Sequence, residues 1–407
     1  MGAFKLLMVV LVLFAVSLAN DWSLPDRLIV TLLVVLLLCW IWNRLSLQRL
    51  GVRRALTLDR VRAGEWISES ITVRNHALLP KLWVEVRDMS TLPGYQAGKV
   101  TNLGSRGQAQ WTTSGRCTRR GRFRLGPITL VSGDPLGLFR SVKTIDVSHE
   151  LVVYPPRVDV SRIPLPKANM VGSASASLRG FHAAHTISGI REYATGDPLN
   201  RISWSATARL GRMMVKEFDP DPSSDIWIIL DLQDEDGNME SHHDRRALAT
   251  PDESIEYAIA VAGSLAEDAL AQGRRVGLIV NRAMPIRIEP DSSQRQWFRV
   301  FEVLAVASRF GHRTLSDAIA ADSRRFTRNS GVIVVTTHQE AGWVPAAHAL
   351  ALRQVPVTAV LVGDASDLAG STMHHLKTGL LEAHVQIAEV VPGTGIMDSE
   401  SGSRRVA

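Results

Sequence analysis

Two short stretches of this 407-residue chain carry residue types that could do chemistry. The first is Asp231-Leu232-Gln233-Asp234-Glu235-Asp236, which holds four carboxylates in six residues. Oxygen ligands at that density suit a hard cation such as magnesium, and a bound cation would activate water for hydrolysis. The second runs from Gly189 to Arg209, where Arg191, Glu192 and Tyr193 are followed by Gly196, Asp197, Arg201, Trp204 and Arg209. Core packing alone does not ask for such tight alternation of fixed charges and rings. The expectation is a structural ion-pair network, with Tyr193 and Trp204 packed beneath it. No nucleophile–base pair is evident, because Ser203 and Ser205 flank Trp204 without a histidine partner.

The elements around the acidic stretch read as α/β. Ile226 to Leu232 is one apolar run, as in a strand buried on both faces. Thr250-Pro251-Asp252-Glu253 supplies a capping box, and the helix after it puts Ile255, Ile259, Ala262, Ala266 and Ala269 on one face until Gly273. Further strands are expected at 276–280, 332–335 and 357–362, with a short edge strand over 284–288. Helices are expected over 291–308, 314–326 and 343–353. This alternation predicts a parallel sheet with helices on both faces. Ligands of such sheets bind beyond the carboxyl ends of the strands, where the acidic stretch falls.

Residues 55–160 read differently. Short alternating runs such as Leu82-Trp83-Val84-Glu85-Val86 are broken by Pro, Gly and Asn at close intervals, which predicts an all-β sandwich. Within it lie five arginines, Arg116, Arg119, Arg120, Arg122 and Arg124. As a phosphate-binding ribbon they would bind nucleic acid. As a strand they would face solvent while Phe123 and Leu125 turn inward. With one interleaved aromatic, the strand is the expectation and nucleic acid is not an expected partner. Residues 161–188 are rich in Ser, Ala, Gly and Pro and read as a linker or arm.

The N-terminus holds two apolar runs, Phe4–Ala19 and Leu28–Trp42, separated by a polar turn with Pro25. They read as a transmembrane hairpin with Trp22, Trp40 and Trp42 in the interfacial aromatic belt. Arg44, Arg49, Arg53 and Arg54 follow the second run, so the positive-inside rule places the bulk of the chain in the cytoplasm. A cleavable signal peptide is the rival for the first run. Lys and Arg exceed Asp and Glu by 46 to 40, giving a net charge of +6. That excess suits an anionic membrane surface. The two cysteines, Cys39 and Cys117, form no disulfide framework and no zinc cluster.

The run Gly189–Arg209, with Arg119-Arg120-Gly121 and Asp134-Pro135-Leu136-Gly137-Leu138-Phe139 ahead of it, resembles the domain-of-unknown-function 58 family. The stretch opening at Asp231 is similar to the start of a von Willebrand factor A domain. That family's metal site begins Asp-x-Ser-x-Ser, and here Gln233 and Glu235 replace the serines. Thr336-Thr337-His338 stands where a later acid is expected. The resemblance implies a hairpin over 1–48, a β-sandwich over 49–160, an arm over 161–222 and a von Willebrand-like α/β domain over 223–391, and the polar, Gly/Ser-containing residues 392–407 read as a disordered tail. It also implies a MoxR-type AAA+ ATPase and a membrane transglutaminase-like protein as partners. The expected function is a membrane-anchored, non-catalytic scaffold or adaptor with no cofactor, magnesium being the one ion the degenerate Asp231, Gln233, Glu235 site could hold. The alternatives are a metal-dependent hydrolase using Asp231, Asp234 and Glu235, and nucleic-acid binding through Arg116–Arg124.

Overall fold

The computed structural model describes residues 2–19, 23–166, 187–193, 202–218, 225–233, 253–309, 312–392 and 395–397, which divide into two compact units at Pro156. The first unit begins with two apolar helices, α1 (Gly2–Ala19) and α2 (Ser23–Ser46). They pack along one another, and the Ser17 hydroxyl donates to Asp26. Leu24–Ser46 is long and apolar enough to cross a membrane, whereas the apolar stretch of α1, Phe4–Leu18, falls short of that length. Length and composition therefore carry one span rather than the expected two. At the C-terminus of α2 the Lys81 ammonium donates to the Leu45 carbonyl, placing a cation where the helix dipole favours one.

Ten strands follow: β1 (Leu50–Leu56), β2 (Arg60–Arg62), β3 (Trp66–Asn75), β4 (Lys81–Asp88), β5 (Lys99–Leu103), β6 (Gln108–Arg116), β7 (Gly121–Leu125), β8 (Ile128–Gly133), β9 (Arg140–Ile145) and β10 (His149–Tyr154). They form three sheets, in the orders β1-β3-β6, β2-β10-β7 and β5-β4-β8-β9. One core unites them, built from residues such as Ile67, Ile71, Val84, Leu125, Ile128 and Leu151. Alternation along β3 turns Ile67, Ile71 and Val73 inward. The same period turns Glu69 inward, and this buried carboxylate meets the Arg54 guanidinium from β1 at 2.7 Å. Asp88 at the end of β4 meets Arg54 Nη2, which also bonds Glu69, at 2.8 Å.

In the second unit, residues 157–166 lie on the α/β region. Val158 N–H donates to Ser264 Oγ at 3.0 Å, and Thr358 Oγ1 donates to the Pro164 carbonyl at 3.3 Å. The strands β11 (Ile187–Glu192) and β12 (Met214–Phe218) pair antiparallel, with the short helix α3 (Trp204–Leu210) between them in sequence. Then come β13 (Asp225–Asp231), α4 (Glu253–Ala271), β14 (Val276–Asn281), β15 (Ile286–Asp291), α5 (Gln294–Val306), α6 (Leu315–Asp322), β16 (Ser330–Thr336), α7 (Val344–Leu352), β17 (Val357–Val362), α8 (Ala365–Leu368), α9 (Ser371–Glu382), β18 (Gln386–Val391) and β19 (Gly395–Met397).

One mixed sheet runs β15-β14-β13-β16-β17-β18-β19. Its five inner strands are parallel, and β15 and β19 are antiparallel edges. Continuous apolar runs are what let β13, β14, β16 and β17 bury both faces. Close packing also fixes Gly277 in β14, where an added Cβ would stand 2.8 Å from the Trp227 ring. The expected edge strand is β15, starting two residues later than read. Strand order reverses between β13 and β16, so the carboxyl ends of these strands flank the crevice that such a sheet offers to ligands.

Candidate functional site

Asp231 closes β13 at that reversal and is 2 % exposed. Parallel register sets the end of β14 beside it, and Asn281 Nδ2 donates to Asp231 Oδ1 at 2.8 Å. From the end of β16, Thr336 Oγ1 donates to Asp231 Oδ2 at 3.0 Å. The Gln233 backbone N–H adds a third donor at 3.3 Å. His338 bends back over the turn, with Nε2 3.0 Å from the Gln233 carbonyl oxygen and 3.9 Å from Asp231 Oδ2. Burial pushes the Asp231 carboxyl above its ordinary range. The nearby His338 and the Asn281 and Thr336 hydrogen bonds offset only part of that.

This arrangement bears on the cation reading. Both Asp231 oxygens accept from neutral donors, and the described residues bring no group of three acidic, histidine or cysteine side chains together. Gln233 acts through its backbone and is half-buried, whereas Asp234 and Glu235 lie outside the described residues. The sequence reading overlooked Asn281 and took Thr336 only as a replacement for a later acid. Their signal was positional, since each ends a strand adjacent to β13.

Within the Gly189–Arg209 cluster, Trp204 departs from its expected place. Trp204 does not pack beneath an ion-pair network; it opens α3 and is 68 % exposed. The helix is stitched to β12 by its backbone instead: Ser203 N–H donates to the Met214 carbonyl at 2.8 Å, and Met214 N–H donates to Thr207 Oγ1 at 3.0 Å. Ile202, Met214 and Val215 supply the buried apolar contact, which leaves Trp204, Leu210 and Met213 outward. Glu192 is exposed and meets Arg212, 3.4 Å away, a residue the sequence reading did not include. Both partners are more than half exposed, so this pair adds little to stability. Tyr193 is half-buried, with its N–H on the Met213 carbonyl, and Arg209 is exposed. The Arg191 side chain and all of Gly196, Asp197 and Arg201 lie outside the described residues. Ser203 Oγ stands 3.5 Å from Ser205 Oγ, and among the described residues no base meets either hydroxyl.

In the arginine-rich segment, Leu125 is buried and Phe123 half-buried, while Arg116, Arg122 and Arg124 face outward. Arg122 pairs with Glu150 of β10 at 3.0 Å, and Arg124 with Asp146, in the turn between β9 and β10, at 2.9 Å. Arg120 is drawn inward, and burial lowers its pKa to about 10. Of the membrane-interface tryptophans, Trp40 is exposed with the Arg44 guanidinium 5.8 Å over its ring, and Trp42 is half-buried. Trp22 lies outside the described residues.

Residues 189–370 match the family described as Protein of unknown function DUF58, as the Gly189–Arg209 run led one to expect. The uncharacterized protein YeaD of Bacillus subtilis (strain 168) is 21 % identical over 239 residues, a stretch covering 57 % of this chain and 56 % of that protein. This chain thus spans a little over half of its relative's length. Among solved structures, the CARDB domain of the PF1109 protein from Pyrococcus furiosus is 17 % identical, covering 26 % of this chain and 91 % of that domain at a TM-score of 0.20. The alkylpurine DNA glycosylase AlkC of Pseudomonas fluorescens is also 17 % identical, covering 34 % of this chain and 43 % of its own at 0.20. Likeness at that level carries no argument.

Proposed function

We propose that this chain, whose residues 189–370 carry the DUF58 match, is a membrane-anchored, non-catalytic adaptor that presents its α/β region to protein partners. The observation that carries this reading is the exposure of three large apolar side chains, Trp204, Leu210 and Met213, within ten residues of the matched segment. An outward tryptophan is the residue type most enriched at protein–protein hot spots. The sheet order with one antiparallel edge after β14 supports reading the α/β region as von Willebrand factor A-like. A hydrolase would need a water-polarising cation at Asp231, whose oxygens already serve N–H and O–H donors; the adaptor reading asks nothing of them. On the family resemblance, the partner is a MoxR-type AAA+ ATPase acting in the assembly or maturation of other proteins, together with a membrane transglutaminase-like protein.

Trp204→Ala in the full chain tests this. Recovery with the ATPase as bait from native membranes is expected to fall at least tenfold, with the melting temperature unchanged because the ring is exposed. Equal recovery of variant and wild type would sink the proposal.

The finer topology belongs to the same reading. We infer that α1 and α2 cross the membrane as a hairpin, with residue 407 and the β-region on the cytoplasmic side. The basic residues that follow α2 support it. A C-terminal tag is expected to resist protease added to intact spheroplasts and to be lost after lysis. Cleavage of the tag from outside intact cells contradicts this topology.

A further inference from the structure

We propose that the turn Asp134–Phe139 is a membrane-inserting loop whose leucine tip enters the headgroup layer of the bilayer beside α2. The β-region is then held to the lipid surface by a helix and a loop rather than by a single tether. The proposal rests on the reading of α2 as a membrane span.

Three observations carry it. The first is height. Cys39 lies near the Asp134 carboxylate, α2 packs on β8 and β9, and Ser141 Oγ donates to the Asn43 carbonyl at 3.4 Å. Cys39 directly precedes Trp40, so the turn stands level with the aromatic residues of the interfacial belt. The second is order. The Asp134 carboxylate accepts the backbone N–H groups of Leu136 at 3.0 Å, Leu138 at 3.2 Å and Phe139 at 2.5 Å. Gly137 takes the left-handed conformation, with φ of 71°, that closes the turn. These bonds fix the tip before any lipid arrives, and they leave Leu136 62 % exposed to solvent. A rigid turn that satisfies its own N–H groups around one carboxylate can enter a less polar layer without stranding them.

The third is charge. Arg140 and Lys143 are exposed just past the turn on β9 and suit anionic headgroups. Exposure of a leucine is not by itself the signal, since Leu58 is 56 % exposed too. Leu58 follows β1, which starts at Leu50 just after α2 and ends six residues on, about 20 Å of strand at ~3.3 Å per residue. Leu136 is singled out by its place beside the helix.

The test uses the full chain in nanodiscs of phosphatidylcholine with phosphatidylglycerol. An environment-sensitive fluorophore is attached to Leu136→Cys, Leu58→Cys or Leu33→Cys; the native cysteines are buried, and the unmutated chain serves as labelling control. Pro135→Cys gives an independent reading of the same turn. Labels at 136 and 135 are expected to emit to the blue of the label at 58 and to lose most of their fluorescence to a lipid spin-labelled near the carbonyl. The label at 33 is expected to be quenched by a tail-labelled lipid. If 136 and 135 behave like 58 while 33 is quenched, α2 spans the bilayer and the loop proposal is wrong. If 33 is not quenched either, the span reading fails and the loop proposal falls with it.

Discussion

Arg54→Ala is expected to lower the unfolding free energy of the first unit by about 3–5 kcal/mol, the usual cost of stripping one partner from a buried ion cluster. Arg54, Glu69 and Asp88 side chains are sealed from water, at 0 %, 0 % and 1 % exposure. The guanidinium bridges the two carboxylates, with Nη2 2.9 Å from Glu69 Oε1 and 2.8 Å from Asp88 Oδ1. Ser90 Oγ completes the group by donating to Asp88 Oδ2 at 2.5 Å and accepting the Gly126 N–H at 2.9 Å. Burial opposes the positive charge on Arg54, and the two carboxylates overcome it, holding its pKa above the ordinary value. Removing Arg54 therefore leaves two carboxylates with neither water nor a counter-ion. Arg54→Lys is expected to rescue little, because one ammonium cannot reproduce the fork that grips Glu69 twice. Chemical unfolding of the full chain in detergent measures this. The double variant Arg54→Ala with Glu69→Ala is expected to cost less than the sum of the singles. Strict additivity, or a loss under about 1 kcal/mol for Arg54→Ala, contradicts the cluster as described.

That cluster also marks where the sequence stopped being legible. Arg54 reads as one of four arginines following an apolar run, and Glu69 as the polar member of an alternating strand. Only the β1–β3 register, which sets Leu56 opposite Glu69 and Arg54 opposite Ile71, brings their side chains together inside the core. Asp88 arrives from a different sheet. Alternation tells which face a residue takes, but not which charges share it. The parallel strands of the second unit were easy by contrast. Runs such as Ile226–Leu232 and Val276–Val280 are too apolar to lie anywhere but inside a covered sheet, and the spacing of Ile255, Ile259, Ala262, Ala266 and Ala269 gave the buried face of α4, while the capping box at Thr250 lies outside the described residues. Trp204 misled because tryptophan among charges reads as a ring awaiting burial. Its neighbours Ile202 and Val215 occupy the core position instead, and a helix as short as α3 has few residues with which to cover a ring. The contact between Cys39 and Asp134 joins residues 95 positions apart, and no local pattern encodes it.

Asp231 gives the second large effect, and its sign with pH separates two readings of the crevice. Asp231→Ala is expected to cost about 2–4 kcal/mol, since it leaves the buried Asn281 amide and Thr336 hydroxyl each short of an acceptor. The pH dependence is read by comparing wild type with Asp231→Asn, which keeps the shape and removes the titration. Burial raises the folded-state pKa of Asp231 above its ordinary 3.8. The folded chain thus holds this proton more tightly than the unfolded chain. The resulting stability is fully present below about pH 3.8 and is lost as pH rises through the folded value. His338, 3.9 Å away, offsets part of this rise, and the net direction stays upward. The melting temperature of wild type relative to Asp231→Asn is therefore expected to fall from acid to neutral pH, and added magnesium is expected to leave that difference unchanged. A cation-holding Asp231 behaves in the opposite way. Its carboxylate would be ionised by design of the site, the gap would widen in favour of wild type as pH rises, and magnesium would raise the melting temperature of wild type alone. Thermal unfolding from pH 4 to 8, with and without magnesium, reads the slope directly, and a rising slope overturns the assignment of Asp231 to a hydrogen-bonded strand end.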